Sequence, residues 1–228
     1  MTKTLTILHT TPVIVKLIGD LAKEILPQDV TVRHVVDDSL LNDTRKAGYM
    51  TKDVVRRLTA YVQLAEAHGS DCLLLTCSSV SPAVDVARQV VNIPVIKIDE
   101  PMAEAAAAMG TRVAVLATVP TTLGPTSDLI RGAFASKART AGLSVPVIRV
   151  ETFLCDDAFD ALAAGDVEKH NRLLIGHIVS AAESFDAVVL AQASMSNILP
   201  LIPAAISGKV LTSPRLGLGR TAEVLAGL

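Results

Sequence analysis

Asp71-Cys-Leu-Leu-Leu-Thr-Cys-Ser-Ser79 is an aliphatic run that ends in hydroxyls and a thiol. The chain repeats its outline 115 positions later as Asp186-Ala-Val-Val-Leu-Ala-Gln-Ala-Ser194. A second pair behaves the same way: Leu5-Thr-Ile-Leu-His-Thr-Thr-Pro12 returns 108 positions on as Val113-Ala-Val-Leu-Ala-Thr-Val-Pro120. Each copy of the first segment then runs through a helical stretch into a short strand, Asn92-Ile-Pro-Val-Ile96 or Ser207-Gly-Lys-Val-Leu211. Two segments recurring in the same order mark a duplicated unit.

Working outward, short aliphatic runs at 5–9, 30–36, 72–76, 95–98, 112–117, 145–150, 187–191 and 209–211 read as strands. Longer amphipathic stretches at 12–26, 52–68, 82–91, 101–109, 124–141, 166–184, 197–206 and 217–225 read as helices. Strict alternation of the two predicts parallel sheets joined by right-handed crossovers. The fold class is therefore α/β: two pseudo-symmetric parallel-sheet domains with an inter-domain cleft. The first half takes residues 1–98 plus 210–228 and the second takes 99–209. In such sheets ligands gather on loops beyond the carboxyl ends of the strands.

Composition removes several function classes. Of 228 residues, 50% are hydrophobic but only 3% aromatic, with no Trp. The net charge of −2 supplies no basic face for nucleic acid and the aromatic count no stacking platform. Mean hydropathy is +0.45, yet no uninterrupted apolar stretch of about 18 residues exists to span a bilayer. The first residues read as a strand and lack a signal-peptide pattern. Three cysteines without close spacing suggest neither a disulfide framework nor a metal site, and fit a cytoplasmic protein. No GxGxxG, P-loop, GxSxG or HExxH occurs, which argues against dinucleotides, nucleoside triphosphates, serine hydrolases and zinc proteases.

Cys77 is the leading candidate for chemistry. It follows a strand and precedes a helix, where backbone N–H groups and the helix dipole favour a thiolate. Thr76, Ser78 and Ser79 surround it with hydroxyls able to donate to a carboxylate or enolate oxygen. Cys72, at the far end of the same strand, reads as core filler, and Cys155 as a structural residue near a loop. His9, Thr10 and Thr11 in one copy match Thr118, Thr121 and Thr122 in the other, an economical anion site built from hydroxyls and amides. Each threonine taken singly is an N-cap. Asp37, Asp38 and Glu151, at the ends of the second and sixth strands, read as capping or base-orienting carboxylates, and His170 as surface.

With these residues in place, the chain resembles the aspartate/glutamate/hydantoin racemase superfamily. That family's first motif, an aliphatic strand ending in Cys-Asn-Thr or a variant, is matched by Leu73-Leu-Leu-Thr-Cys-Ser-Ser79. Val115-Leu-Ala-Thr-Val-Pro-Thr-Thr122 and Ile7-Leu-His-Thr-Thr-Pro12 resemble its paired carboxylate loops. The family's second motif, ending in Gly-Cys-Thr, falls on Leu190-Ala-Gln-Ala-Ser194 and lacks the thiol. The repeat independently pairs Cys77 with Gln192.

The resemblance implies a cofactor-independent, metal-free isomerase acting at a carbon next to a carboxylate of a small acid, with no nucleic-acid or membrane partner. It implies Cys77, Gln192 and Ser194 as the catalytic set. His9, Thr10, Thr11, Ser78, Ser79, Thr118, Thr121, Thr122 and Ala193 would hold the substrate. Gln192 leaves three readings open: a racemase whose second proton comes from His9, Ser194 or water; a one-thiol enzyme like arylmalonate decarboxylases or maleate isomerases; or a carboxylate-binding protein. The apolar Ala-rich helices allow a homo-oligomer.

Overall fold

A computed structural model describes residues 2–228. The described residues divide into two compact units, 2–101 with 214–228 and 102–213.

The first unit opens with β1 (Lys3–His9), a single 3-10 turn and α1 (Val15–Ile25). There follow β2 (Val30–Val36), α2 (Ser39–Ala47), α3 (Lys52–Ala67), β3 (Cys72–Leu75), α4 (Ala83–Ala87) and β4 (Val95–Lys97). The chain leaves it within α5 (Glu100–Met109). The second unit carries β5 (Arg112–Ala117), α6 (Pro120–Thr140), β6 (Arg149–Leu154), α7 (Asp156–Ala163), α8 (Val167–Ser184), β7 (Ala187–Leu190), α9 (Ala204–Ser207) and β8 (Val210–Thr212). The chain then returns in α10 (Ser213–Gly227).

Each unit holds one four-stranded parallel sheet, ordered β2-β1-β3-β4 in the first and β6-β5-β7-β8 in the second. The registers carry the repeat. Leu5 lies opposite Cys72 as Val113 lies opposite Ala187, and Leu8 opposite Leu75 as Leu116 opposite Leu190. The same fastenings recur at the amino ends of these strands. Asp71 accepts a bond from the Thr4 N–H at 2.7 Å, and Asp186 accepts one from the Arg112 N–H at 3.0 Å. Gly110 permits the second of these: a Cβ there would stand 2.5 Å from the Asp186 side chain. The central strands are aliphatic on both faces because both are covered. Leu73, Leu74, Leu75, Val188, Val189 and Leu190 are fully buried.

Local signals set the helix ends. The Thr51 hydroxyl accepts from the Val54 N–H to start α3, and Asp166 accepts from Lys169 to start α8. Gly48, at φ 79°, closes α2 in the left-handed region. Gly217 lets α10 lie on β4's end, since a Cβ there would meet the Ile98 backbone oxygen at 2.7 Å.

Four elements depart from the sequence reading. The sixth strand begins at Arg149 rather than 145, because Pro146 has no N–H to give a ladder and the first backbone bond is Arg149 N–H to Thr111 O. Glu151 therefore sits within β6, beside Arg149, and not at its end. Neither α2 nor α7 was expected. Helix α2 buries only Leu40 and Thr44, too little for a helical period to show. The stretch 197–206 is largely a 3-10 helix, Ala193–Leu201, followed by the single turn of α9.

Candidate functional site

In the first unit the carboxyl ends of β1 and β3 meet at a corner. Thr76 N–H bonds Leu8 O at 3.1 Å, which carries the pairing one residue past the strands and sets Thr10 beside Cys77. Cys77 has extended backbone, φ −130° and ψ 113°, and caps the 3-10 turn Ser78–Val80. That turn directs the Ser79 and Val80 N–H groups at the Cys77 sulfur, and the Thr10 hydroxyl bonds it as well. Three donors on one sulfur favour its anionic form. Burial of the surroundings outweighs them and pushes the thiol above its ordinary range. This reverses the expectation of a ready thiolate: the resting group is a partly exposed, protonated thiol that holds donors in place for the charge it will carry.

His9 sits just behind this corner. It is completely buried, and both ring nitrogens are engaged: Nδ1 with Thr76 Oγ1 at 3.1 Å and Nε2 with His34 Nδ1 at 2.9 Å. The Thr76 hydroxyl gives its one proton to Leu8 O at 3.2 Å, so His9 Nδ1 must donate to it. His9 Nε2 then accepts from His34 Nδ1–H, and the two rings stack with centroids 5.2 Å apart. Burial, followed by the neighbouring His34, lowers the His9 pKa to about 4. His9 is thus a neutral link that holds Thr76; with no nitrogen to spare, it does not supply a second proton.

Asp99, absent from the sequence reading, closes the corner from β4. Ile98 N–H bonds Leu75 O at 3.0 Å, which carries the β3–β4 ladder one step beyond Lys97 and brings Asp99 level with the Cys77 turn. The carboxylate is fully buried and accepts from the Ser78 and Ser81 hydroxyls. Burial raises its pKa despite those bonds. The rule that located Cys77, a polar residue just past an aliphatic strand, also selects Asp99.

The second unit repeats the corner with different chemistry. Gln192 caps the 3-10 helix Ala193–Leu201 with extended backbone, φ −117° and ψ 133°. Its Oε1 accepts from Thr118 N–H at 2.6 Å, Thr118 Oγ1–H at 3.1 Å and Val119 N–H at 3.2 Å. Thr118 and Ala193 are buried, and Gln192 and Ser194 partly exposed. Thr121 and Thr122 lie in the first turn of α6, and Thr11 caps the 3-10 turn Pro12–Ile14. The structure therefore gathers Thr10, Cys77 and Ser78 at one corner, with Ser79 in the same turn, and Thr118 with Gln192 at the other. Cys72 and Cys155 are wholly buried, and burial pushes each thiol up to about 12. Among the described residues no group of three or more His, Cys, Asp or Glu could hold a metal, and no helix is long and apolar enough to cross a membrane.

Residues 7–218 match the model of a family described as Asp/Glu/Hydantoin racemase. No curated protein sequence matches the chain. Among solved structures, a glutamate racemase isoform from Bacillus anthracis is 13% identical with a TM-score of 0.72, covering 99% of this chain and 82% of that one. An aspartate racemase homologue from Pyrococcus horikoshii is 18% identical with a TM-score of 0.64, covering all of both chains. An allantoin racemase from Klebsiella pneumoniae is 15% identical with a TM-score of 0.64, covering 99% of this chain and 88% of that one. At these identities the likeness shows a shared two-domain α/β fold.

Proposed function

Because the chain belongs to the Asp/Glu/hydantoin racemase family, we propose that it is a cofactor-independent isomerase that moves a proton at a carbon next to a carboxylate, with Cys77 as the group that carries the proton. The observation behind this reading is the Cys77 sulfur itself, met by the Ser79 and Val80 N–H groups and the Thr10 hydroxyl. Those donors stabilise the thiolate at the moment it forms, so the proton can pass between sulfur and carbon in either direction. The substrate is a small acid or amino-acid-like molecule, held through its carboxylate by hydroxyls such as those of Thr10 and Ser78. The similar structures named for a glutamate racemase and an aspartate racemase homologue support that class.

Gln192 is neither acid nor base in the working range, so the second proton of a racemisation comes from Ser194 or water rather than from a second thiol. A second reading, a one-thiol decarboxylase, draws support from the raised thiol of Cys77, which is protonated at rest. In that reaction the bond between the α-carbon and one carboxyl group breaks, carbon dioxide leaves, and the electron pair remains on carbon as an enediolate. The Cys77 S–H then gives its proton to that carbon, and solvent reprotonates the sulfur.

The test is to incubate small 2-substituted acids and malonates with the protein in deuterated water. Deuterium at the α-carbon, product handedness and carbon dioxide release are followed together. Exchange with loss of handedness supports the isomerase, and carbon dioxide with a single enantiomer supports the decarboxylase. Cys77→Ala is expected to slow either by at least about a hundredfold. Undiminished turnover in that variant would overturn both readings.

A further inference from the structure

Asp99 is a fully buried ionisable group at the Cys77 corner that the proposed reaction does not use. Its carboxylate is fully buried: Oδ2 accepts from Ser81 Oγ at 3.4 Å and the Ser78 hydroxyl also bonds the group, while Oδ1 has no partner. A buried carboxylate with one oxygen left unpartnered is costly as an anion. It also shares its corner with Cys77. Ser78 bonds Asp99 through its side chain and is the first residue of the turn whose N–H groups meet the sulfur.

We propose that Asp99 sets the charge on Cys77: the carboxyl and the thiol compete for one negative charge at this corner, so Cys77 ionises readily only when Asp99 is neutral. Two anions in one desolvated corner repel, and one of them must keep its proton. An Asp99 carboxylate raises the thiol, in addition to the effect of burial.

The groups facing Asp99 divide. The Ser78 and Ser81 hydroxyls and the Lys97 cation favour its charged form, and Glu100 opposes it. Lys97 is itself tied to Asp85 of α4 at 2.8 Å, which limits what it does for Asp99. The second unit supplies a natural control. Its ladder sets Leu190 opposite Thr212 where the first sets Leu75 opposite Lys97, so the place of Asp99 falls to Pro214, the residue at which the chain returns to the first unit. The acid accompanies the thiol at Cys77 and has no counterpart beside Gln192.

The inference rests on Cys77 as the working thiol for its consequence, but its test needs no substrate. The rate of iodoacetamide alkylation of Cys77, resolved by peptide mass spectrometry, is measured against pH in the wild type and in Asp99→Asn. Removing the neighbouring charge is expected to move the midpoint down by about one pH unit, a rise of about tenfold in rate at neutral pH. An unchanged or higher midpoint would overturn the proposal. Asp99→Ser, also uncharged, gives the same readout should the asparagine variant fail to fold. A Cys77→Ala variant with full turnover would sink the proposed function and leave this coupling measurable. A flat Asp99→Asn profile would sink the coupling and leave the function standing.

Discussion

Cys77 and Gln192 hold the same place in two copies of one plan, and each reaches for the threonine at the end of the neighbouring strand, Thr10 or Thr118. The copies differ in what fastens that pair of strand ends. In the second unit the fastening is Gln192 itself, whose one amide oxygen takes three donors from the Thr118–Val119 loop. In the first unit it is moved back to Thr76, His9 and His34, a chain of side chains behind the sulfur. The matching positions of the second unit, Ala191 and Ala117, carry no polar side chain. Structural and chemical duties are therefore separated in the first unit, which leaves position 77 open for a reactive group. They are merged in the second.

The largest consequence for stability concerns the fastening by His9. Its imidazole titrates near 6.5 when unfolded and near 4 when folded. Below pH 6.5 the unfolded chain takes up a proton that the folded unit refuses. The His9 contribution is thus fully present above 6.5, falls as pH drops toward 4, and levels off below. The loss amounts to about 3 kcal/mol. Tyr49 and Tyr61 both lie in the first unit, so urea unfolding followed by tyrosine fluorescence reports that unit. His9→Gln is expected to flatten the pH slope between 6.5 and 4. An unaltered slope would break the assignment of this fastening to His9.

A smaller effect is expected on the other side of the comparison. Gln192→Ala leaves the Thr118 and Val119 donors to water and should cost about 1–2 kcal/mol, read by the thermal midpoint. Cys77→Ala removes a sulfur from the matching corner without undoing Thr76–His9–His34 and should cost less. If the two alanine variants lost equal stability, the division of duties would not hold.

Most of the fold was legible in the sequence because buried parallel strands are aliphatic on both faces and stand out as runs such as Leu73–Leu75 and Val188–Leu190. The offsets of 108 and 115 reappear in the strand registers, since a duplicated sheet must keep its pairing to keep its core. Legibility failed where burial was slight, as in α2, and where Pro146 interrupted an apolar stretch whose Val147 is 97% exposed. At the site, the repeat exposed the exchange of Cys77 for Gln192 but not the role of the amide, which depends on a bond across 74 residues. His34 was invisible for the same reason: only the β1–β2 register brings it to His9. Asp99 needed no such information, being a polar residue at a strand end like Cys77 itself.

The central claim is that one thiol, on the first unit, carries the chemistry. Peptide-resolved iodoacetamide labelling of the native protein across neutral and alkaline pH, with and without malonate or aspartate, tests it most directly. Cys77, partly exposed and surrounded by donors, should label first, and the carboxylates should slow it. Cys72 and Cys155, buried and pushed up to about 12, should stay unmodified until the chain unfolds. Equal labelling of all three cysteines, or a Cys77 rate indifferent to both carboxylates, would contradict the account.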